Sequence, residues 1–254
     1  MFNALVQALL NILFPQKPLV RELESVDPAD FASRAEKPDG YAGKDIISCF
    51  SYSDKKVRQA IWELKYRGNK RIAALLAAAL YDELLAFLEE YAPLTNFTDP
   101  LLIPIPLSKK RESERGFNQC RLLADELVRL DSPFVKGSGG IVVDCESPSR
   151  GISSSPLQRG GLRWGVGEIK CTNFTYCPNA LQKVKDTTSQ TKADSRKKRL
   201  ENLKGCFTAD ANQVLRRNII LIDDVATTGA TIDEARRALK AAGARRVIAF
   251  TVAH

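Results

Sequence analysis

The stretch 218–231, Asn-Ile-Ile-Leu-Ile-Asp-Asp-Val-Ala-Thr-Thr-Gly-Ala-Thr, constrains this chain more than any other. Ile219, Ile220, Leu221 and Ile222 are four consecutive apolar residues, three of them β-branched. Such a run suits a strand buried on both faces, as in a parallel sheet. Asp223 and Asp224 follow where that strand is expected to end. A turn of small residues, Thr227-Thr228-Gly229-Ala230-Thr231, then leads into a helical pattern from Ile232 to about Ala242.

Open α/β sheets bind ligands outside the carboxyl ends of their strands. A turn at a helix N-terminus offers unpaired N–H groups and the positive end of the helix dipole, which suits phosphate. Gly229 lets the backbone approach an anion, and the threonine hydroxyls add donors. Asp223 and Asp224 repel phosphate but accept hydrogen bonds from sugar hydroxyls. A ligand with a phosphate at one end and a diol at the other, such as ribose 5-phosphate, fits this order of groups. Helix capping alone does not require two adjacent acids, three threonines and a glycine.

Length allows one decorated α/β domain or two small ones. With 44% hydrophobic and 27% charged residues the composition is that of a globular protein. A net charge of +8 fits polyanionic or phosphorylated partners without choosing between them. The six cysteines, at 49, 120, 145, 171, 177 and 206, form no C-x-x-C pair and no disulfide framework. His254 is the sole histidine, which argues against a zinc site and against catalysis by histidine. Reduced cysteines and a cytoplasmic location are the expectation. Residues 1–14 are uncharged, with Phe2, Leu5, Val6, Leu9, Leu10 and Leu13 near helical spacing. They read as a short docked amphipathic helix, too short to span a bilayer.

Residues 15–43 read as an irregular connector, 45–53 as a strand, and Asp54 as the cap of a helix to about Tyr66. A second helix is expected over about Lys70 to Tyr91. Leu101 to Pro106 suggests a strand ending near Ile103, because its prolines cannot sit in a central ladder. The loop Leu107-Ser108-Lys109-Lys110-Arg111 reads as a second anion-binding loop, and Arg115-Gly116-Phe117-Asn118-Gln119 opens a helix to about Leu130. Residues 131–178, with eight glycines, four prolines and no regular period, read as a mostly disordered insertion. Trp164, Phe174 and Tyr176 within it offer a weak case for stacking on single-stranded nucleic acid. A basic helix is expected over about 194–203, serving either as a solvated face or as a cationic cover for phosphate or nucleic acid. Gly243 ends the helix after the acidic motif, and Arg246 to Ala253 completes a βαβ unit with a parallel pair.

Asp223-Asp224 followed by Thr227 to Thr231 resembles the phosphoribosyl-pyrophosphate (PRPP) signature of type I phosphoribosyltransferases. Tyr52 to Gly68 (with Leu64-Lys65-Tyr66), Ile103 to Leu107, and Arg115 to Gln119 are similar to the ComF family, which includes competence protein F and GntX-like proteins. So is the set Thr187, Gln190, Arg199, Asn202, Gly205 and Phe207. The resemblance covers roughly 45–130 and 180–254. It departs from the family pattern in two ways: no cysteine precedes Cys49, so the usual zinc ribbon's ligands are missing, and the insertion is additional. Residues 1–44 are then a degenerate zinc-ribbon region and 45–254 a phosphoribosyltransferase-like domain.

The resemblance implies an α/β phosphoribosyltransferase-like fold, a parallel sheet flanked by helices with a small hood. It implies that Asp223 and Asp224 hold the ribose hydroxyls and help to position Mg²⁺, with Val225, Ala226, Thr227, Thr228, Gly229, Ala230 and Thr231 completing the PRPP site. Pro106, Leu107, Ser108 and Lys109 would face pyrophosphate. Arg115, Gly116, Phe117, Asn118 and Gln119 would serve the acceptor or a flap, with Arg115 joining the two acids as catalytic. The implied reaction is phosphoribosyl transfer to an unknown acceptor, linked to DNA uptake, with no zinc. Single-stranded DNA and a competence helicase are the implied partners. The alternative is a non-catalytic PRPP-, nucleotide- or single-strand-binding accessory protein of competence. A dinucleotide-binding fold is disfavoured, since no G-x-G-x-x-G follows a strand.

Overall fold

In a computed structural model describing residues 18–39, 45–132, 169–185 and 204–254, the apolar run lies inside strand β7, Asn218–Val225. Its side chains alternate between two cores. Ile220 and Ile222 join one cluster, and Ile219 and Leu221 join the other. Burial on both faces is therefore literal, and each such side chain contributes about 1.5–3 kcal/mol of transfer free energy.

Strands β1 (Ile46–Phe50), β2 (Leu101–Pro104), β4 (Thr175–Tyr176), β7 and β8 (Arg246–Ala253) form a parallel sheet in the order β1-β8-β7-β2-β4. A short β3 (Ile169–Lys170) adds antiparallel to β4 at the edge. One face is covered by α3 (Lys55–Arg67), α4 (Lys70–Glu90) and α7 (Gln119–Asp131), whose apolar stripes share a core with Phe250 and Ile222. The other face carries α9 (Ala230–Ala241) and a two-stranded ribbon of β5 (Leu181–Lys183) and β6 (Phe207–Ala209). Short helices α5 (Ala92–Thr95) and α8 (Ala211–Val214) lie in connections. This is the expected α/β architecture of a parallel sheet flanked by helices.

Helix ends follow local chemistry. Asp54 caps α3 by accepting from the Lys56 and Val57 N–H groups at 2.7 and 3.2 Å. Gly68 closes α3 in the left-handed region with φ 57°, and Gly243 follows α9 with φ 92°.

Four expectations need correction. The connector at 15–43 contains helices α1 (Pro18–Ser25) and α2 (Pro28–Arg34); Asp27 caps α2 ahead of Pro28, and Val20, Leu23 and Phe31 are buried. β7 extends past the four apolar residues through both acids to Val225, because Asp223 and Val225 pair with Thr251 and Ala253 of β8. Lys109–Arg115 is a helix, α6, so the loop after β2 is only 105–108. Within the presumed insertion, 169–178 belongs to the sheet. Phe174, Tyr176 and Cys177 are buried there, and Asn173 donates its backbone N–H to Asp131 at 2.8 Å. Those aromatics are therefore core, not a nucleic-acid surface. The helices expected at 1–14 and 194–203, Trp164, and most of 131–168 lie outside the described residues.

Candidate functional site

The carboxyl ends of β2 and β7 are neighbours, with Pro104 opposite Ile222, so the 105–108 loop and the acid pair meet. Ile105 donates its N–H to the Ile222 carbonyl at 2.9 Å, fixing the loop beside Asp223. The two acids are 8% and 4% exposed. Asp223 Oδ1 accepts from the Asp224 backbone N–H at 2.9 Å and from Cys120 Sγ at 3.3 Å. Asp224 Oδ1 is ion-paired with Lys65 Nζ at 3.2 Å, while its Oδ2 is buried without a hydrogen-bond partner.

Buried carboxylates at this proximity resist joint ionisation. Burial first, and the neighbouring Asp224 charge second, push the Asp223 pKa up to about 7. Lys65 shows the opposite balance. Burial disfavours its ammonium, but Asp224 and Asp223 outweigh that and hold its pKa above the usual lysine value. The Cys120 thiol is raised well above its ordinary value, by burial and then by Asp223 and Asp224, so it is a neutral donor.

The turn after β7 exposes Thr227 and buries Ala226, Gly229 and Ala230. Ala226 donates to the Ala253 carbonyl at 3.0 Å, and its own carbonyl is bonded to His254 Nδ1 at 2.8 Å, so the turn starts from a fixed point. Gly229 adopts φ 71° at the N-cap of α9, and no side chain caps that helix strongly. Thr228 Oγ1 reaches only the Ala230 N–H, at 3.4 Å. Val225, Thr227 and Thr231 complete this arc at the positive end of α9.

The residues expected to face pyrophosphate or an acceptor have mixed placements. Pro106 and Leu107 lie in the loop, Ser108 is the buried N-cap of α6, and Lys109 is exposed at its first turn. Asn118 caps α7 by accepting from the Cys120 N–H at 2.9 Å, and its Nδ2 donates to the Ile105 carbonyl at 3.1 Å. Gln119 Oε1 accepts from Arg115 Nη1 at 2.9 Å. Gly116 is a left-handed cap, and Phe117 packs against Gly68. Most of this motif is therefore supporting structure, which holds the loop after β2 in place and aims Arg115. The Arg115 guanidinium lies 5.3 Å from the Tyr66 ring centre.

Two neighbours of the acids were not among the candidates. Lys65 sits one residue after the buried Leu64, so its helical position points it along the sheet's carboxyl edge. Cys120 belongs to the apolar face of α7 and carries no signal of its own in the sequence. The oxygens of the acid pair are of the kind that a divalent cation bound with a phosphorylated ligand takes. Asp224 Oδ2 is an orphaned oxygen, whereas no cluster of three or more metal-ligating side chains occurs among the described residues. No described helix is long and apolar enough to cross a membrane.

No family model matches the chain. It is 32% identical over 208 residues to "Competence protein ComFC" of Bacillus subtilis (strain 168), covering 81% of this chain and 62% of that protein. It is 28% identical over 149 residues to "Competence protein F" of Haemophilus influenzae, covering 58% of this chain and 46% of that protein. The chain thus spans less than two thirds of the length of either relative. Each match is too long to rest on the acid–turn motif alone, and together they support the chain's resemblance to the ComF family.

Proposed function

We propose that this protein is a phosphoribosyltransferase that binds PRPP and transfers the phosphoribosyl group to an acceptor. The observation that carries the reading is the buried acid pair with its orphaned Asp224 oxygen, followed directly by an uncapped helix N-terminus. Asp223 and Asp224 accept from the ribose 2- and 3-hydroxyls. The arc from Val225 through Thr231 receives the 5-phosphate on backbone N–H groups and threonine hydroxyls. Loop residues Pro106 to Ser108, with Lys109, face the pyrophosphate, and Arg115, held beside Tyr66, faces the acceptor.

Asp223 and Asp224 would hold Mg²⁺ together with substrate oxygens, and the ion would supply neutralising charge for the leaving pyrophosphate. The chain's own work is positioning and electrostatics. Lys65 pairs with Asp224, Cys120 donates to Asp223, and Asn118 fixes the loop. The relatives' names support a role connected with competence, and single-stranded DNA and a competence helicase are the proposed partners.

Release of pyrophosphate from PRPP in the presence of Mg²⁺ and trial acceptors tests this reading. Asp223→Asn should abolish release while leaving the fold intact, and unchanged release would remove the acid pair from the reaction. Binding of PRPP without release across a broad acceptor panel would favour the accessory-protein alternative.

A further inference from the structure

One stripe of α3 is not used by the core. Lys55, Arg58, Gln59, Trp62, Lys65 and Tyr66 recur at three- and four-residue spacing, opposite the buried Val57, Ala60, Ile61 and Leu64. With Tyr52, Leu19 of α1 and an edge of Ile61 they line a cavity of about 510 Å³, within the usual size of small-molecule sites. Trp62 is 43% exposed and Tyr66 58%, large values for such side chains; their ring centres are 5.3 Å apart with planes tilted by 43°, and the Arg67 and Arg115 guanidiniums lie 5.7 and 5.3 Å from the Trp62 and Tyr66 rings.

The charges on this stripe differ from those beside it. Lys56 pairs with Glu22 at 2.6 Å, and Arg67 with Glu63 at 3.5 Å. Lys55 and Arg58 have no ion pair among the described residues, and the cavity lining contains no carboxylate. The cavity is joined to the acid pair through Lys65, which lines it and touches Asp224. A second depression, of about 300 Å³ and lined by Asp45, Arg236, Lys240 and Arg246, includes residues at the start of β8, the end of the sheet away from the acids.

We propose that this cavity is the acceptor site and takes a small planar ring bearing an anionic group, stacked on Trp62 beside Tyr66 with its charge met by Lys55 and Arg58. The aromatic faces stack a flat ring and the cations attract its anionic group, and the absence of lining acids leaves nothing to repel it. A neutral ring gains only the stacking. The assignment rests on reading the acid pair as the ribose site. A ring nitrogen then forms the bond to C1 as the C1–O bond to pyrophosphate breaks. Pyrophosphate leaves with the electron pair, and the nitrogen's proton passes to solvent.

Binding can be tested separately from turnover. Trp62 and Trp164 are the only tryptophans, so Trp164→Phe leaves Trp62 as the single reporter. Orotate and uracil share one ring and differ by a carboxylate. Titration of that protein with orotate should quench Trp62 saturably, at least tenfold tighter than uracil. Lys55→Ala with Arg58→Ala should weaken orotate tenfold or more and leave uracil unchanged. Asp223→Asn should alter neither, which separates this site from the PRPP reading: failure there leaves the quenching intact. Equal affinity for the two rings, or indifference to loss of Lys55 and Arg58, would overturn the proposal. So would quenching by a thymidine 12-mer with none by the free rings, which would make the face a single-strand surface.

Discussion

Lys65 reaches the Asp224 carboxylate at 3.2 Å from a helix packed on one face of the sheet, tying α3 to the end of the central strand. Only one oxygen of Asp224 is satisfied by this pair, and the other is buried and unpartnered. Lys65→Met strands a buried charge. Loss of one partner of a buried pair costs several kcal/mol, and partial exposure of Lys65 reduces that to about 1–3 kcal/mol. Adding Asp224→Asn should recover most of the loss. A chemical-denaturation cycle reads the coupling, and additive losses would mean the pair is not coupled.

The Asp223 carboxyl gives the fold a definite pH dependence. Its pKa is raised to about 7 in the folded state, so the folded protein keeps a proton that the unfolded chain loses above about pH 4. Its contribution to stability is full below pH 4 and is lost as pH rises through about 7. An Asn oxygen at 223 keeps the bonds from Cys120 and the Asp224 N–H. Asp223→Asn should therefore stabilise the apo protein at pH 8 by on the order of 2 kcal/mol, with little effect at pH 4. Thermal melts at the two pH values check this, and a variant less stable at pH 8 would contradict it.

Asn118 serves two elements at once, capping α7 and holding the Ile105 carbonyl. Asn118→Ala removes the cap and leaves a buried carbonyl without its donor, which together cost about 2–3 kcal/mol. Asn118→Asp keeps the cap but loses the donor, and should fall between. Equal stability of all three proteins by urea unfolding would show that the motif's asparagine is not structural.

Gly68 and Gly116 share a left-handed backbone but differ in surroundings. A Cβ at Gly68 would sit 2.9 Å from the Phe117 ring, whereas nothing lies within 4 Å of one at Gly116. Gly116→Ala should cost about 1 kcal/mol from backbone strain alone. Gly68→Ala adds displacement of Phe117 and should cost about 1 kcal/mol more. A reversed order of melting temperatures would contradict the packing of Phe117 on that turn.

The central strand, α3, α4 and the last βαβ unit are legible in the sequence because their signals are local. Four apolar residues bury both faces, Asp54 caps, and Gly68 and Gly243 close. Residues 169–178 are not legible, because short strands among glycines and serines carry no period. Their place is set by pairing of Thr175 with Leu101 and by the long-range bond from Asn173 to Asp131. The acids and the turn were readable as a site from residue type alone. Lys65 and Cys120 were not, since a lysine in an amphipathic helix and a lone cysteine look ordinary until the helices are placed.

The central claim is a Mg²⁺-dependent PRPP site at the end of β7. Calorimetric titration of the protein with PRPP, with and without Mg²⁺, tests it most directly. The account predicts saturable binding that requires Mg²⁺ and is lost in Asp224→Asn at temperatures where that variant, less stable for want of the partner of Lys65, is still folded. An absence of binding in the presence of Mg²⁺, or equal binding by Asp224→Asn, would contradict it.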